Sequence, residues 1–294
     1  MEIPDEQSSR SEPGRRVVAH CRAHRFDRWT CTGVSELGSR VSGDGWRSGR
    51  VGPWSEERFL PSRAFADRGE YMGDADFYKV PVDMLTNEVY LQERMKSYDP
   101  QKATPSSSIG AGKLSGTESE ETTHLSVIDK EGNAVAVTTT LNNSYGSRTV
   151  VGGAGFFLND EMDDFSIKPG VPNMYGAIGG EANAIMPGKR MLSSMTPTIV
   201  LKDNKPYIVV GTPGGTTIPT QIFQTLVNIL EFNMSTEDAV YKPKFHHQWL
   251  PDEVMIEKGF PAAVKEAMQK MGYTFGKERS GIGRTEIIKV LPNG

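Results

Sequence analysis

Two pairs of short β-branched runs, each closed by a polar turn, constrain this chain more than any other feature. "THLSVID" and "NAVAVTTTLN" are joined through Lys130-Glu131-Gly132-Asn133, and "TPTIVLKD" and "KPYIVVGTP" around Asp203-Asn204. Runs rich in Val, Ile and Thr on either side of such turns predict two hairpins. After "GTPGG" comes "TTIPTQIFQTLVNILEF", whose apolar residues fall at helical intervals. "STEDAVYKPKF" predicts a short helix capped by Ser235, and "PAAVKEAMQKMGY" a helix with Pro261 at its start and Gly272 past its end. "RTEIIKVLPNG" reads as a last strand. Strand pairs alternating with helices predict a sheet covered by helices.

Upstream, "VDMLTNEVYLQERMKSYD" has helical spacing and predicts one helix ending near Asp99–Pro100. "PQKATPSSSIGAGKLSGTESEE" reads as an exposed linker. A compositional break falls near residue 64. Residues 1–63 hold 11 Arg and no Lys, whereas residues 64–294 hold 6 Arg and 16 Lys. No periodicity persists in the first part, which Gly and Ser punctuate throughout. It reads as a disordered or mis-joined segment rather than an Arg-rich arm for an anionic partner. Its Cys21 and Cys31 could pair, and His20 and His24 lie close by, but the spacing matches no standard zinc pattern.

The formal net charge of -4 argues against nucleic-acid binding. No apolar run approaches the roughly 20 residues that span a bilayer. "MEIPDEQSSRSEPGRR" lacks the apolar core of a signal peptide.

Several residues could carry chemistry. Glu120 and Glu121 end the linker, and Thr122 and Thr123 open the first strand. Two threonines there are ordinary strand composition. The sharper reading is that Thr122 becomes a chain terminus, whose own α-amine would serve as the base that a weak hydroxyl nucleophile needs. Gly214 and Gly215 in "TPGGTT" join a strand to a helix, where their N–H groups could hold an oxyanion, or form a plain turn. Glu161, Asp163 and Asp164 in "NDEMDDFS" could grip an ammonium group, or form a solvated acidic loop. Ser193 and Ser194 offer hydroxyls to a carboxylate. The adjacent His246 and His247 in "FHHQWLPD" suit no metal pair and read as structural.

Together and in order, "TTHLSV", "GNAVAVTTTLN", "MDDFSIKPGVPN", "LSSMTPTIV", "GTPGG" and "FHHQWLPD" resemble γ-glutamyltranspeptidase, also called glutathione hydrolase. The resemblance covers about residues 64–294. It divides them into a large-subunit tail with its linker (64–121) and a small-subunit catalytic region (122–294). It implies an α+β fold, the N-terminal nucleophile hydrolase αββα sandwich, incomplete for want of most of the large subunit. It also implies autocatalytic cleavage between Glu121 and Thr122. Thr122 then attacks the γ-glutamyl amide of glutathione or another donor, and water or an amino-acid or peptide amine resolves the ester. No metal or organic cofactor is implied.

By the same resemblance Thr140 orients the nucleophile, and Asn142, Glu161 and Asp164 surround the substrate α-amino group. Ser193 and Ser194 contact its α-carboxylate, Gly214 and Gly215 form the oxyanion hole, and Tyr175 matches the lid. The location implied is periplasmic or extracellular. The family's carboxylate-clamping arginine lies in the part of the large subunit with no counterpart here, so the chain by itself is expected to be inactive. Two rival readings are a related acylase of the same fold, of the cephalosporin or glutaryl type, and an unprocessed remnant without enzymatic activity.

Overall fold

In the computed structural model of the chain, both hairpins form around the turns their sequences predict. The structure describes residues 61–109, 122–174 and 176–291, and the backbone alone of 19–24 and 28–32. Strand β3 (Thr122–Ile128) pairs antiparallel with β4 (Ala134–Thr140), from Thr122 opposite Thr140 to Ile128 opposite Ala134. Its turn is held by Asp129, whose carboxylate accepts from the N–H groups of Glu131 (2.9 Å) and Asn133 (2.8 Å). Strand β5 (Thr198–Lys202) pairs with β6 (Lys205–Gly211). Asp203 and Asn204 both take positive φ, 52° and 63°, the turn whose twist matches a two-residue hairpin.

Two short strands, β7 (Phe245–His246) and β8 (Met255–Ile256), pair apart from this sheet, and strand β9 (Glu286–Lys289) extends the hairpin on the β6 side, as the last strand read from sequence. On the other side β1 (Ala19–His24) runs parallel to β5, and β2 (Arg28–Thr32) pairs antiparallel with β1, giving the order β2-β1-β5-β6-β9. The sequence shows no strand periodicity in this arm. Main-chain hydrogen bonding to an open sheet edge explains how a strand forms there without one. Cys21 stands opposite Cys31 in the register. The side chains of Cys21, Cys31, His20 and His24 lie outside the described residues, as does the linker from 110 to 121.

The two faces of the sheet bury different things. Val200, Ile208 and Val210 pack against Ile218, Ile222 and Ile229 of α4 (Ile218–Leu230) and Ala239 of α5 (Thr236–Tyr241). The opposite face of β6 carries Val209 and Gly211, and there the β3–β4 hairpin lies. That hairpin is inside out. His124, Ser126, Ala136 and Thr138 lie on its more buried side, while Leu125, Val127, Val135 and Val137 are exposed. The inward polar groups satisfy one another: His124 Nδ1 lies 2.8 Å from Thr138 Oγ1 and Nε2 lies 2.9 Å from Ser126 Oγ.

The Ser235 cap of α5 forms as read, with Ser235 Oγ accepting from Asp238 N at 3.0 Å. Helix α6 (Ala262–Met271) ends at Gly272, at φ 101°. The single helix predicted over 82–99 is instead two, α2 (Val82–Leu85) and α3 (Glu88–Met95). Asn87 divides them: its side chain accepts from Val89 N at 2.9 Å, starting a new helix within the old period. Helix α1 (Pro61–Tyr71), which periodicity did not predict, crosses the compositional break. Its buried Arg63 donates to the Arg94 carbonyl (2.9 Å) and Ser97 Oγ (3.0 Å).

The 61–109 segment is sewn into the rest by polar contacts. Gly180 N donates to Gly69 O at 2.7 Å, and Arg190 pairs with Asp74. At its far end Asp252 accepts from Ser106 N (2.8 Å) and Ser106 Oγ (2.7 Å), and Trp249 Nε1 donates to Ser106 O (3.0 Å). His247 Nε2 lies 3.3 Å from the same carboxylate. His246 is buried between Thr220 and Gln248, and burial lowers its pKa to about 4. Both histidines are structural, as the sequence suggested. Among the described residues, no helix is long and apolar enough to cross a membrane.

Burial opposes the charge on Asp252, but its hydrogen bonds from His247 and Ser106 prevail and hold it down to about 2. A depressed carboxyl contributes stability above its unfolded value of about 4, lost as pH falls towards 2. Asp252→Ala should therefore cost about 2 kcal/mol in urea unfolding at pH 7. Ser106→Ala in the same background should add little, since the two share one contact. Additive losses would show that the clasp does not exist.

Candidate active site

The hairpin register places Thr122 directly across from Thr140. Thr122 Oγ1 donates to Thr140 Oγ1 at 3.3 Å, and Thr140 Oγ1 accepts from Asn142 N at 2.9 Å. Thr140 is thus a junction between the first strand residue and the loop leaving β4. Asn142 takes φ 74°, a left-handed conformation that Asn tolerates, and turns the chain towards the acidic turn. Its side-chain amide donates to the Asp160 carbonyl at 3.3 Å, and the Asp160 carboxylate accepts from Asn143 N at 3.0 Å. The next residues, Glu161–Asp164, form a 3-10 turn. A continuous path therefore runs from Thr122 through Thr140 and Asn142 to the acidic turn.

Asp164 and Ser194 line one pocket with Arg68, Asn183, Asn173 and Thr216. Asn183 ties the acidic turn to the serine loop. Its Nδ2 donates to Asp164 O at 2.7 Å, and its Oδ1 accepts from Leu192 N at 3.0 Å. Arg68 Nη2 donates to Ser194 Oγ at 3.0 Å. Burial pushes the Asp164 carboxyl up to about 7, with Glu161, Asp163 and Asp160 adding to the rise and Arg68 opposing it. Glu161 is also raised, by burial and then by Asp160. Neither solvates freely, so the turn is more than an acidic surface loop. Ser193 Oγ accepts from Met195 N at 3.1 Å, which fixes the loop beside Ser194.

Gly214 and Gly215 have φ of 137° and 55° and lead through a 3-10 turn into α4. A Cβ on Gly214 would stand 2.5 Å from both Gln221 Nε2 and Thr217 Oγ1, so the turn requires glycine for space as well as conformation. Gln221 braces it by donating to Thr217 Oγ1 at 2.6 Å and accepting from Thr212 Oγ1 at 3.0 Å. Thr216, next to this turn, donates to Gln248 Oε1 at 2.5 Å and also lines the pocket. This is a strand-to-helix junction with its N–H groups at a helix start, a geometry suited to negative charge.

The structure thus links Thr122, Thr140 and Asn142 through hydrogen bonds, sets Asp164 and Ser194 in one pocket, and braces the Gly214-Gly215 turn beside it. Tyr175 lies outside the described residues. Sequence reasoning missed Arg68 and Asn183. "FADRGEY" offers no apolar period that marks a buried arginine, and Asn183 sits in an irregular loop without a motif.

A sequence profile described as Gamma-glutamyltranspeptidase matches residues 61–294. The glutathione hydrolase proenzyme of Escherichia coli (strain K12) is 50% identical over 231 residues, covering 79% of this chain and 40% of that protein. The Pseudomonas aeruginosa glutathione hydrolase proenzyme is 49% identical over 79% of this chain and 41% of its own length. The chain thus spans about two fifths of these relatives. Among solved structures, a Helicobacter pylori γ-glutamyltranspeptidase is 57% identical with a TM-score of 0.56, covering 58% of this chain and 91% of that one. A cephalosporin acylase from Bacillus halodurans has a TM-score of 0.66 at 25% identity, covering 81% of this chain and 41% of that one.

The strand bearing Thr122 rests on Gly211, where an added Cβ would stand 2.0 Å from the His124 ring. Gly211→Ala should therefore force the hairpin off the sheet and destabilise the protein by about 1–3 kcal/mol. An unchanged denaturation midpoint would mean that the hairpin does not depend on this contact.

Proposed function

The chain belongs to the γ-glutamyltranspeptidase family, and we propose that it carries the nucleophile and donor-binding groups of a γ-glutamyl hydrolase and transferase. Its fold is that of the N-terminal nucleophile hydrolases, an α+β arrangement shared by the γ-glutamyltranspeptidase and acylase structures it resembles. The observation that carries the proposal is the Thr122–Thr140 hydrogen bond at the first residue of β3.

In this reading the Glu121–Thr122 bond breaks, and residues 122–294 become the catalytic piece beside the 64–121 tail. The freed α-amine of Thr122 titrates near a useful value for a base, roughly 8. It takes the Oγ1 proton as the oxygen attacks the γ-carbonyl, while Thr140 holds that oxygen in line. The Gly214 and Gly215 N–H groups face the oxyanion. The proton passes to the leaving amine, and the acyl group stays as an ester on Thr122. Water then releases glutamate, or an amino-acid or peptide amine takes the acyl group.

A γ-glutamyl donor such as glutathione presents both an ammonium and a carboxylate. Asp164, with Glu161 and Asn142, supplies partners for the first, and Ser193 and Ser194 for the second. Tyr175 is assigned to the lid. The remaining large-subunit region is the expected partner, and the expected location is the periplasm or outside the cell.

The likeness to cephalosporin acylase favours a second reading, in which the same nucleophile takes a glutaryl-type acyl group. The acid–serine pocket favours γ-glutamyl, because a glutaryl group has no ammonium to meet Asp164.

Purified chain is expected to be inactive alone, and when supplemented with the large-subunit region of the Escherichia coli relative should yield a fragment whose sequence begins at Thr122. It should turn over γ-glutamyl-p-nitroanilide in preference to glutaryl-p-nitroanilide. Thr122→Ala should abolish both cleavage and turnover. Folded, supplemented protein that does neither, or turnover that survives Thr122→Ala, refutes the proposal. Preference for the glutaryl substrate selects the acylase reading.

A further inference from the structure

Arg68 belongs to α1, far in sequence from every residue assigned to chemistry above, yet its guanidinium sits in the donor pocket. It donates to Ser194 Oγ at 3.0 Å and lines the pocket with Asp164 and Thr216. It also lies over the Phe65 ring, 5.8 Å from the centroid, a contact that holds the planar group from beneath. The charged groups bearing on Asp164 are Asp160, Glu161 and Asp163 from its own turn and Arg68 from α1. Ser194 and Asn183, which also line the pocket, are neutral.

We propose that Arg68 is a positioning residue of the donor pocket: its guanidinium fixes the Ser194 hydroxyl and balances the Asp164 carboxylate, preparing both for a zwitterionic α-amino-acid head group. This rests on the function proposed above. The orientation follows from donor–acceptor counting. A serine hydroxyl has one proton and two lone pairs, and Arg68, which has no acceptor, must use a lone pair. The Ser194 proton is thereby directed elsewhere and is available to a substrate carboxylate. The balance follows from charge. Three carboxylates of one short turn crowd Asp164, and the guanidinium attracts its ionised form. A lysine would keep that charge but lose the planar fork that reaches Ser194.

An ammonium group binds ionised Asp164, so binding weakens as pH falls through the Asp164 value of about 7. Taking away Arg68 removes an influence that lowers this value, so the acidic limb of binding moves to higher pH. A shift of one unit corresponds to about tenfold weaker binding at a pH below both values.

The test uses the full chain, with L-glutamate as probe in calorimetric titrations from pH 6 to 8.5 and the Asp164 carboxyl followed by carbon-detected NMR. Arg68→Gln should bind L-glutamate about tenfold more weakly at pH 6.5, with the deficit narrowing towards pH 8.5, and its Asp164 signal should titrate higher. Arg68→Lys should keep the wild-type pH profile but bind more weakly throughout. Asp164→Asn should remove the acidic limb. Wild-type binding together with an unshifted profile in Arg68→Gln overturns this inference and leaves the proposed function standing. If Arg68→Gln does not fold, a shifted profile in Arg68→Lys or a persisting acidic limb in Asp164→Asn overturns it as well. Wild-type protein that neither binds L-glutamate nor, supplemented with the large-subunit region of the Escherichia coli relative, turns over γ-glutamyl-p-nitroanilide defeats the function and this inference together.

Discussion

The packing of the β3–β4 hairpin on β6 is the constraint on which the rest depends, and it exists because residue 211 has no side chain. His124 fills the space that a Cβ would take. Its ring is then buried, which lowers its pKa and keeps it neutral, and it bonds to Thr138 and Ser126 across the hairpin. That network fixes the register two residues from Thr122, and the register sets Thr122 against Thr140. Three residues beyond Gly211 on the same chain comes the Gly214 turn. One close approach therefore relates the threonine pair to the helix start.

The second organising fact is a contest over Asp164. Burial and three neighbouring carboxylates favour its neutral form, while Arg68 favours the ionised one. Ionising a partly desolvated carboxyl costs free energy that an arriving cation has to offset, and Arg68 lowers that cost. The same pocket holds Asn183, which binds the turn and the serine loop to each other. The spacing between the acidic turn and the serine loop is therefore held by one amide.

What the sequence revealed and what it hid follow the range of the forces involved. The hairpins, their turns, the Ser235 cap and the Gly272 stop are local, and each was legible from a few residues. The break at Asn87 was hidden because the apolar period of "VDMLTNEVYLQERM" runs straight through it, whereas the cap is a side-chain choice at one position. Helix α1 and Arg68 were hidden for the opposite reason: their environment comes from Ser194, more than a hundred residues away. The β1 and β2 strands carry no period because a sheet edge recruits backbone rather than side-chain pattern. Thr122 was ambiguous in isolation and became specific only alongside Thr140, the acidic turn and the glycines.

The inverted hairpin shows why the site and the fold cannot be separated. An ordinary antiparallel pair turns its apolar side inward, and a one-residue slip would exchange the faces. Here the inward side is His124, Ser126, Ala136 and Thr138, which tolerate burial because their polar atoms are paired. Leu125, at 56% exposure, Val127 at 44% and Val137 at 42% face outward. A one-residue slip of β3 against β4 would turn Leu125 and Val127 inward, a gain of about 25 cal/mol for each Å² covered. It would also carry Thr122 away from Thr140. The polar lock around His124 opposes that slip. The apolar outer surface of the hairpin is thus the counterpart of a threonine pair held in register: the strand commits its polar side to the core, and Thr122 lies where Thr140 can reach it.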